Sequence, residues 1–185
     1  MHARWPATVA ALACFAIAPL ACGTDPYEPG TALGTFAVNG TLKASSCGAG
    51  QAPNPWSFSV KLSTDPGTLY WIQGSVPVSG TLSAANVASL TSTSSQSSFE
   101  GDSSVALCTI DRTDTLSARL TPDPTLANEY SSFTGTLTYA FAQDSSSTDC
   151  SGALTENGGG YAALPCTITY SLSATRSALP NSYGK

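Results

Sequence analysis

Residues 133–141 read Phe133-Thr134-Gly135-Thr136-Leu137-Thr138-Tyr139-Ala140-Phe141. Every second position is aromatic, aliphatic or glycine, and Thr fills most of the places between. A period of two puts the two sets on opposite faces of an extended strand, one toward a core and one toward water. A helix would spread both sets around its circumference. The pattern recurs along the chain. Phe36, Val38, Gly40 and Leu42 alternate with Thr35, Asn39, Thr41 and Lys43, and Trp56, Phe58, Val60 and Leu62 with Ser57, Ser59, Lys61 and Ser63. Leu116, Ala118 and Leu120 alternate with Thr115, Ser117 and Arg119, and Cys166, Ile168, Tyr170 and Leu172 with Thr167, Thr169, Ser171 and Ser173.

Turn chemistry separates these segments. Asp65-Pro66-Gly67 makes a hairpin of the Trp56 segment and residues 68–74. Ala52-Pro53-Asn54-Pro55, Asp111-Arg112-Thr113-Asp114 and Thr121-Pro122-Asp123-Pro124 read as further turns. Segments 80–84 and 105–110 alternate less cleanly. Residues 90–98, Leu-Thr-Ser-Thr-Ser-Ser-Gln-Ser-Ser, read as a polar loop or a frayed edge strand, and residues 84–90 as the one stretch able to form about two helical turns. Gly-Thr-Leu recurs at Gly40, Gly67, Gly80 and Gly135, where glycine marks strand starts, bends or bulges. The expected fold is all-β: a single antiparallel sandwich or barrel of about eight strands over residues 33–176, with a tail at 177–185.

Composition agrees. Of 185 residues 42% are apolar and only 10% charged, so Ser and Thr must supply most of the polar surface. Seven basic against twelve acidic residues give a net charge of −5 and a pI near 4.5. Without a basic cluster, phosphate neutralisation has no source, which argues against nucleic acid as a partner. The apolar content is too high for a disordered chain.

The first residues read as an address. Arg4 precedes an apolar run at residues 7–21, too short to span a bilayer and suited to the core of a secretory signal. Pro19-Leu20-Ala21-Cys22 follows, with small Ala21 just before the cysteine. This resembles the signal of bacterial lipoproteins, and the whole chain resembles small uncharacterised all-β lipoproteins of Gram-negative bacteria. The resemblance implies cleavage after residue 21 and a lipid on Cys22, with residues 22–32 as a flexible tether rich in Gly, Pro and acidic residues. It also implies the membrane as a partner. Gly23 stands where Asp would imply retention in the inner membrane, which implies anchoring at the outer membrane or cell surface. Ordinary cleavage after Gly23, giving a periplasmic or secreted protein, and an uncleaved anchor are the alternatives.

Cysteine usage fits export. Setting aside Cys14 in the signal and Cys22 leaves Cys47, Cys108, Cys150 and Cys166, an even set suited to disulfides in an oxidising compartment. Four cysteines allow three pairings. Cys150–Cys166 is preferred, because it would close a glycine-rich loop, and Cys47–Cys108 follows by elimination. Zinc is the competing reading, but no close C-x-x-C pair exists.

Candidate chemistry is sparse. His2, the only histidine, lies in the signal, which removes imidazole-based catalysis from the remainder. Carboxylate pairs occur at Glu100/Asp102, Asp111/Asp114 and Asp144/Asp149, all in hydrophilic stretches where turn chemistry accounts for them. Calcium at residues 144–149 is a weaker option, since the spacing of a known loop is missing. The sequon Asn39-Gly40-Thr41 is incidental behind a bacterial signal. Trp56 shares a face with Phe58 and Val60 and reads as core. Tyr70-Trp71-Ile72 cannot all face one side of a strand, so either this strand is covered on both faces or Tyr70 or Trp71 lies at a surface or cavity, and both are candidate ligand contacts. The reading is a non-enzymatic envelope lipoprotein without a cofactor, structural or adhesive in role. A binding domain for a glycan or lipid-like ligand is the alternative.

Overall fold

The computed structural model describes residues 26–99, 106–147 and 149–179. The signal, Cys22, Glu100 and Asp102 lie outside them. Eight strands follow in order: β1 (Thr31–Ser45), β2 (Trp56–Asp65), β3 (Thr68–Ile72), β4 (Val78–Leu82), β5 (Val87–Phe99), β6 (Ala106–Pro122), β7 (Tyr130–Gln143) and β8 (Cys166–Ala178). Each pairs antiparallel with the next, and β8 pairs antiparallel with β1. The fold is therefore a closed antiparallel β-barrel, and the choice between sandwich and barrel falls to the barrel.

Alternation fixes which residues fill it. Register aligns Leu116 on β6 with Leu137 on β7, then Tyr170 on β8, then Leu42 on β1, so one face of each strand contributes to a common interior layer. Below that layer the interior is filled. Phe36, Val38, Val60, Leu62, Leu69, Phe133 and Leu172 are buried there, and the Phe36 and Phe133 rings lie 5.6 Å apart. Outward positions carry Thr and Ser, as expected of a sheet with one wet face.

One open local reading is settled and two expectations change. Residues 90–98 form most of β5, which pairs with β6 from Val87 to Phe99. The edge reading is the correct one, because β4 pairs only with Ala88, Ser89 and Leu90 and leaves the rest of that side of β5 unpaired. Residues 84–90 are not helical. Ser83 N–H donates to the Val87 carbonyl, Asn86 takes φ 60°, and β5 starts at Val87. Two helical turns cannot offset the cost of nucleation, whereas Ala88 and Leu90 gain full burial in the barrel. Finally, Asp111-Arg112-Thr113-Asp114 is not a turn but the middle of β6.

Strand β1 starts at Thr31 and β8 runs to Ala178, and residues 26–30 are also described. Residues 26–30 pack on the outer wall instead of hanging free as a tether. Tyr27 is buried there, with its hydroxyl 2.9 Å from Thr35 Oγ1 and its ring beside the Lys61 ammonium. Ser63, fully buried, donates to the Pro29 carbonyl.

Two disulfides brace the barrel, Cys47–Cys166 and Cys108–Cys150. All four cysteines are paired, but the expected Cys47–Cys108 and Cys150–Cys166 partners are exchanged. Proximity in sequence misled. Cys47 follows β1 and Cys166 opens β8, and barrel closure makes those distant strands neighbours. At the opposite end, Arg176 lies between Asp123 (2.6 Å) and Glu129 (2.7 Å). Hydrogen bonds from Thr125, with the charge of Arg176, hold the Asp123 carboxyl below its ordinary range.

Candidate ligand-binding site

The upper half of the barrel interior differs from the lower. Above Leu90, the inward positions of β5 are Ser92, Ser94 and Gln96. Across the ladder from them on β6 stand Asp114, Arg112 and Ile110, and β7 continues the wall with Tyr139 and Phe141. Arg112 and Asp114 are two residues apart on one strand, so both point inward. Their contact is bidentate: Nε donates to Oδ1 at 2.6 Å and Nη2 donates to Oδ2 at 2.7 Å. The guanidinium also lies over the Tyr139 ring, 4.2 Å from its centre. Such a planar cation, held by two charge-assisted bonds and a ring face, has little freedom left. Burial disfavours the charge on Arg112, but the hydrogen bond and negative charge of Asp114 outweigh it and raise the pKa. Burial likewise pushes the Tyr139 hydroxyl up, so it stays protonated.

Around this pair the interior is open in two lobes. An inner lobe of about 150 Å³ is lined by Trp71, Val78, Leu90, Ser92, Leu116 and Leu137. An outer lobe of about 530 Å³ is lined by Trp56, Ser94, Gln96, Ile110, Phe141, Tyr161 and Tyr170. Gln73, Arg112 and Tyr139 belong to both and form the boundary. Because β4 stops pairing at Leu90, the inner lobe borders Gly74 and the exposed Val76 on one side and β5 on the other.

The rim is built by residues 46–55, between β1 and β2, and residues 144–147 and 149–165, between β7 and β8. Cys47–Cys166 and Cys108–Cys150 tie both to the strands, and Ala162 N–H donates to the Cys47 carbonyl at 2.8 Å. Tyr170 reaches up from inside and donates to the Pro53 carbonyl at 3.1 Å. Gly160 lies close enough to Gln51 that a Cβ there would sit 2.1 Å from its side-chain nitrogen.

Of the two ligand candidates read from sequence, Trp71 lines the inner lobe and Tyr70 does not reach it. Tyr70 points outward opposite Ser63 and donates to Asp65 Oδ2 at 3.0 Å. The three consecutive bulky residues are thus accommodated both ways: Trp71 in the cavity, Tyr70 and Ile72 on the outer wall where residues 26–30 lie. Trp56 packs against Phe58 (4.5 Å) and Tyr170 (5.0 Å) and also faces the outer lobe. Glu100/Asp102 lies outside the described residues, and of the other two pairs Asp111 and Asp114 face apart, Asp111 lying instead beside Asp144 on the outer surface. Asp111 points outward and accepts from Ser95 Oγ at 2.6 Å, away from Asp114. Asp144 and Asp149 accept local hydrogen bonds from Ser146 and Ser151, which lower both pKa values. Among the described residues no group of three or more His, Cys, Asp or Glu is placed to hold a metal.

Sequence reading missed Arg112, Asp114, Tyr139 and Gln73 as site residues. A signal for the first two was present: they share parity with Leu116, Ala118 and Leu120, so the alternation extended upstream puts them inside. Hydrophilicity made the stretch look like a turn. Comparison with protein-family models, with curated proteins and with solved structures finds no match for this chain. Fold and site together define a disulfide-braced antiparallel barrel, filled at one end and open at the other. The two disulfides are consistent with an extracytoplasmic location. No helix among the described residues is long and apolar enough to cross a membrane.

Proposed function

We propose that the chain is a non-catalytic binding protein of the cell envelope, lipid-anchored through Cys22 at the outer membrane, that holds its ligand in the open end of the barrel. One observation carries this reading: the two-lobed cavity around Arg112 and Asp114. Eight strands make an interior just wide enough for side chains to fill. A barrel with only a structural or adhesive role gains stability by filling it, as the lower half does. The upper half instead keeps an outer lobe of about 530 Å³, of the size that small-ligand sites have, with aromatic walls and a few fixed polar groups. Within the cavity, binding is favoured over carboxylate chemistry because Asp114, the carboxylate among the described lining residues, is engaged by Arg112, while Asp111 faces the other way.

Anchor and site are tested separately. Labelled palmitate is expected to enter the wild-type protein in its bacterial host and not Cys22→Ser; equal labelling would remove the anchor. For the cavity, thermal melts are run against a library of soluble saccharides and amphiphiles. A ligand at a hundred times its Kd adds about 2.7 kcal/mol, a rise in Tm of roughly 5–10 °C for a domain of this size. Arg112→Ala is expected to abolish that rise. Unchanged melts across the whole library would defeat the binding reading.

A further inference from the structure

The chemistry of the two lobes narrows the ligand class, a step that rests on the binding reading above. We infer that the open end accepts an uncharged oligosaccharide chain, with one sugar ring against Trp71 in the inner lobe, another against Trp56 in the outer lobe, and hydroxyls between them on the Arg112–Asp114 pair.

The ion pair decides first. Arg112 uses Nε and Nη2 on Asp114, which leaves Nη1 directed elsewhere, and each Asp114 oxygen keeps acceptor capacity. The cavity therefore presents fixed donors beside fixed acceptors with no net charge. An anionic ligand would have to displace Asp114 from two charge-assisted bonds, and a cationic one would have to displace Arg112. An acyl chain would strip water from both groups and return no hydrogen bond, the costliest way to bury polar atoms. A vicinal diol fits without displacing anything. Each hydroxyl donates one hydrogen bond and accepts others, so neighbouring hydroxyls match a carboxylate beside a guanidinium.

The aromatics decide next. The C–H faces of a sugar ring are apolar and slightly positive, and they suit the negative face of an indole. Each lobe has its own tryptophan, and the lobes meet at Arg112, Tyr139 and Gln73. Two platforms separated by a polar bridge suit linked rings better than a single one. The openings agree with a chain. The outer lobe opens at the barrel end, and the inner lobe opens sideways between residues 74–78 and the unpaired part of β5. A chain lying across Gln73, Arg112 and Tyr139 would have an opening at each end.

The test is titration calorimetry on the folded full domain. Probes are neutral gluco-, manno-, xylo- and chito-oligosaccharides of one to six units, with oligogalacturonate, palmitate and lysophosphatidylcholine in parallel. At least one neutral series is expected to bind, with its trisaccharide at least tenfold tighter than its monosaccharide. Trp71→Ala should weaken the trisaccharide at least tenfold, and Asp114→Asn, which keeps the shape but loses the charge, should do the same. Trp71→Phe keeps an aromatic face and serves if the alanine variant does not fold. Binding of palmitate or lysophosphatidylcholine alone, or of oligogalacturonate alone, would overturn the sugar class or its neutrality and leave the binding reading standing. A monosaccharide as tight as its trisaccharide would overturn the chain. No binding by any probe would overturn this inference together with the reading beneath it.

Discussion

The double variant Cys47→Ser/Cys166→Ser is expected to lose about 5 kcal/mol of stability. The bridge joins residues 119 apart in sequence, and cross-linking so long a loop removes much of the freedom of the unfolded chain. The corresponding figure for Cys108–Cys150, with a separation of 42, is about 4 kcal/mol. Domains of this kind are stable by only about 5–15 kcal/mol, so either loss is a large share of the total. The topology should survive, because β1 and β8 keep a ladder running from Thr35↔Ala178 to Ser45↔Ile168 whether or not the sulfurs are joined. The measurement is a pair of denaturant and thermal unfolding curves, in which Tm should fall by roughly 10–20 °C. A change of less than about 1 kcal/mol would mean that the bridge restrains nothing the unfolded chain would otherwise explore. The two bridges also hold the rim. Reduction should therefore weaken ligand binding at temperatures where the strand signal in circular dichroism is still intact.

Gly135→Val is expected to cost at least about 3 kcal/mol, the upper end of what overpacking does in a core. Gly135 lies on β7 with Ala118 of β6 on one side and Leu172 of β8 on the other. A Cβ built there would stand 2.5 Å from the Ser117 carbonyl oxygen and 3.0 Å from Ala118 Cα. Both are backbone atoms, so no rotamer change relieves the clash and the β6–β7 ladder itself must open. Gly135→Ala should show part of the effect. Gly152→Ala is the control, since nothing lies within 4 Å of its added carbon. Chemical denaturation of the three variants checks the order. A Gly135→Val loss under about 1 kcal/mol would show that the wall is soft at this point.

How much of this was legible depended on which rule each residue obeyed. Positions such as Phe36, Leu116 and Tyr170 follow a period of two with polar neighbours, and that alone gave their faces, the strand class and the approximate strand number. The turn at Asp65-Pro66-Gly67 was legible because its residues suit only that backbone. The site was not legible, because it is where the alternation stops being hydrophobic. Ser92, Ser94, Arg112 and Asp114 occupy inward positions with outward chemistry, so hydropathy files them with loops. Disulfide partners failed for a different reason. Nothing in the local sequence says that the first and last strands are neighbours, and that one fact pairs Cys47 with Cys166. Trp71 was found because three bulky residues in succession violate the local rule and demand an explanation.

Docking of Tyr27 and Pro29 on the outer wall would set the length of the leash if Cys22 carries the proposed lipid. Counted from Tyr27, a fatty-acylated Cys22 would be only five Cα steps away, at most roughly 18 Å of chain. β6 alone, at 17 residues, measures about 55 Å. A body moored that way, by a line about a third of the length of its longest strand, could not sweep the space around it. It would ride close against the lipid surface, and whatever it captures would have to be within arm's reach of the bilayer.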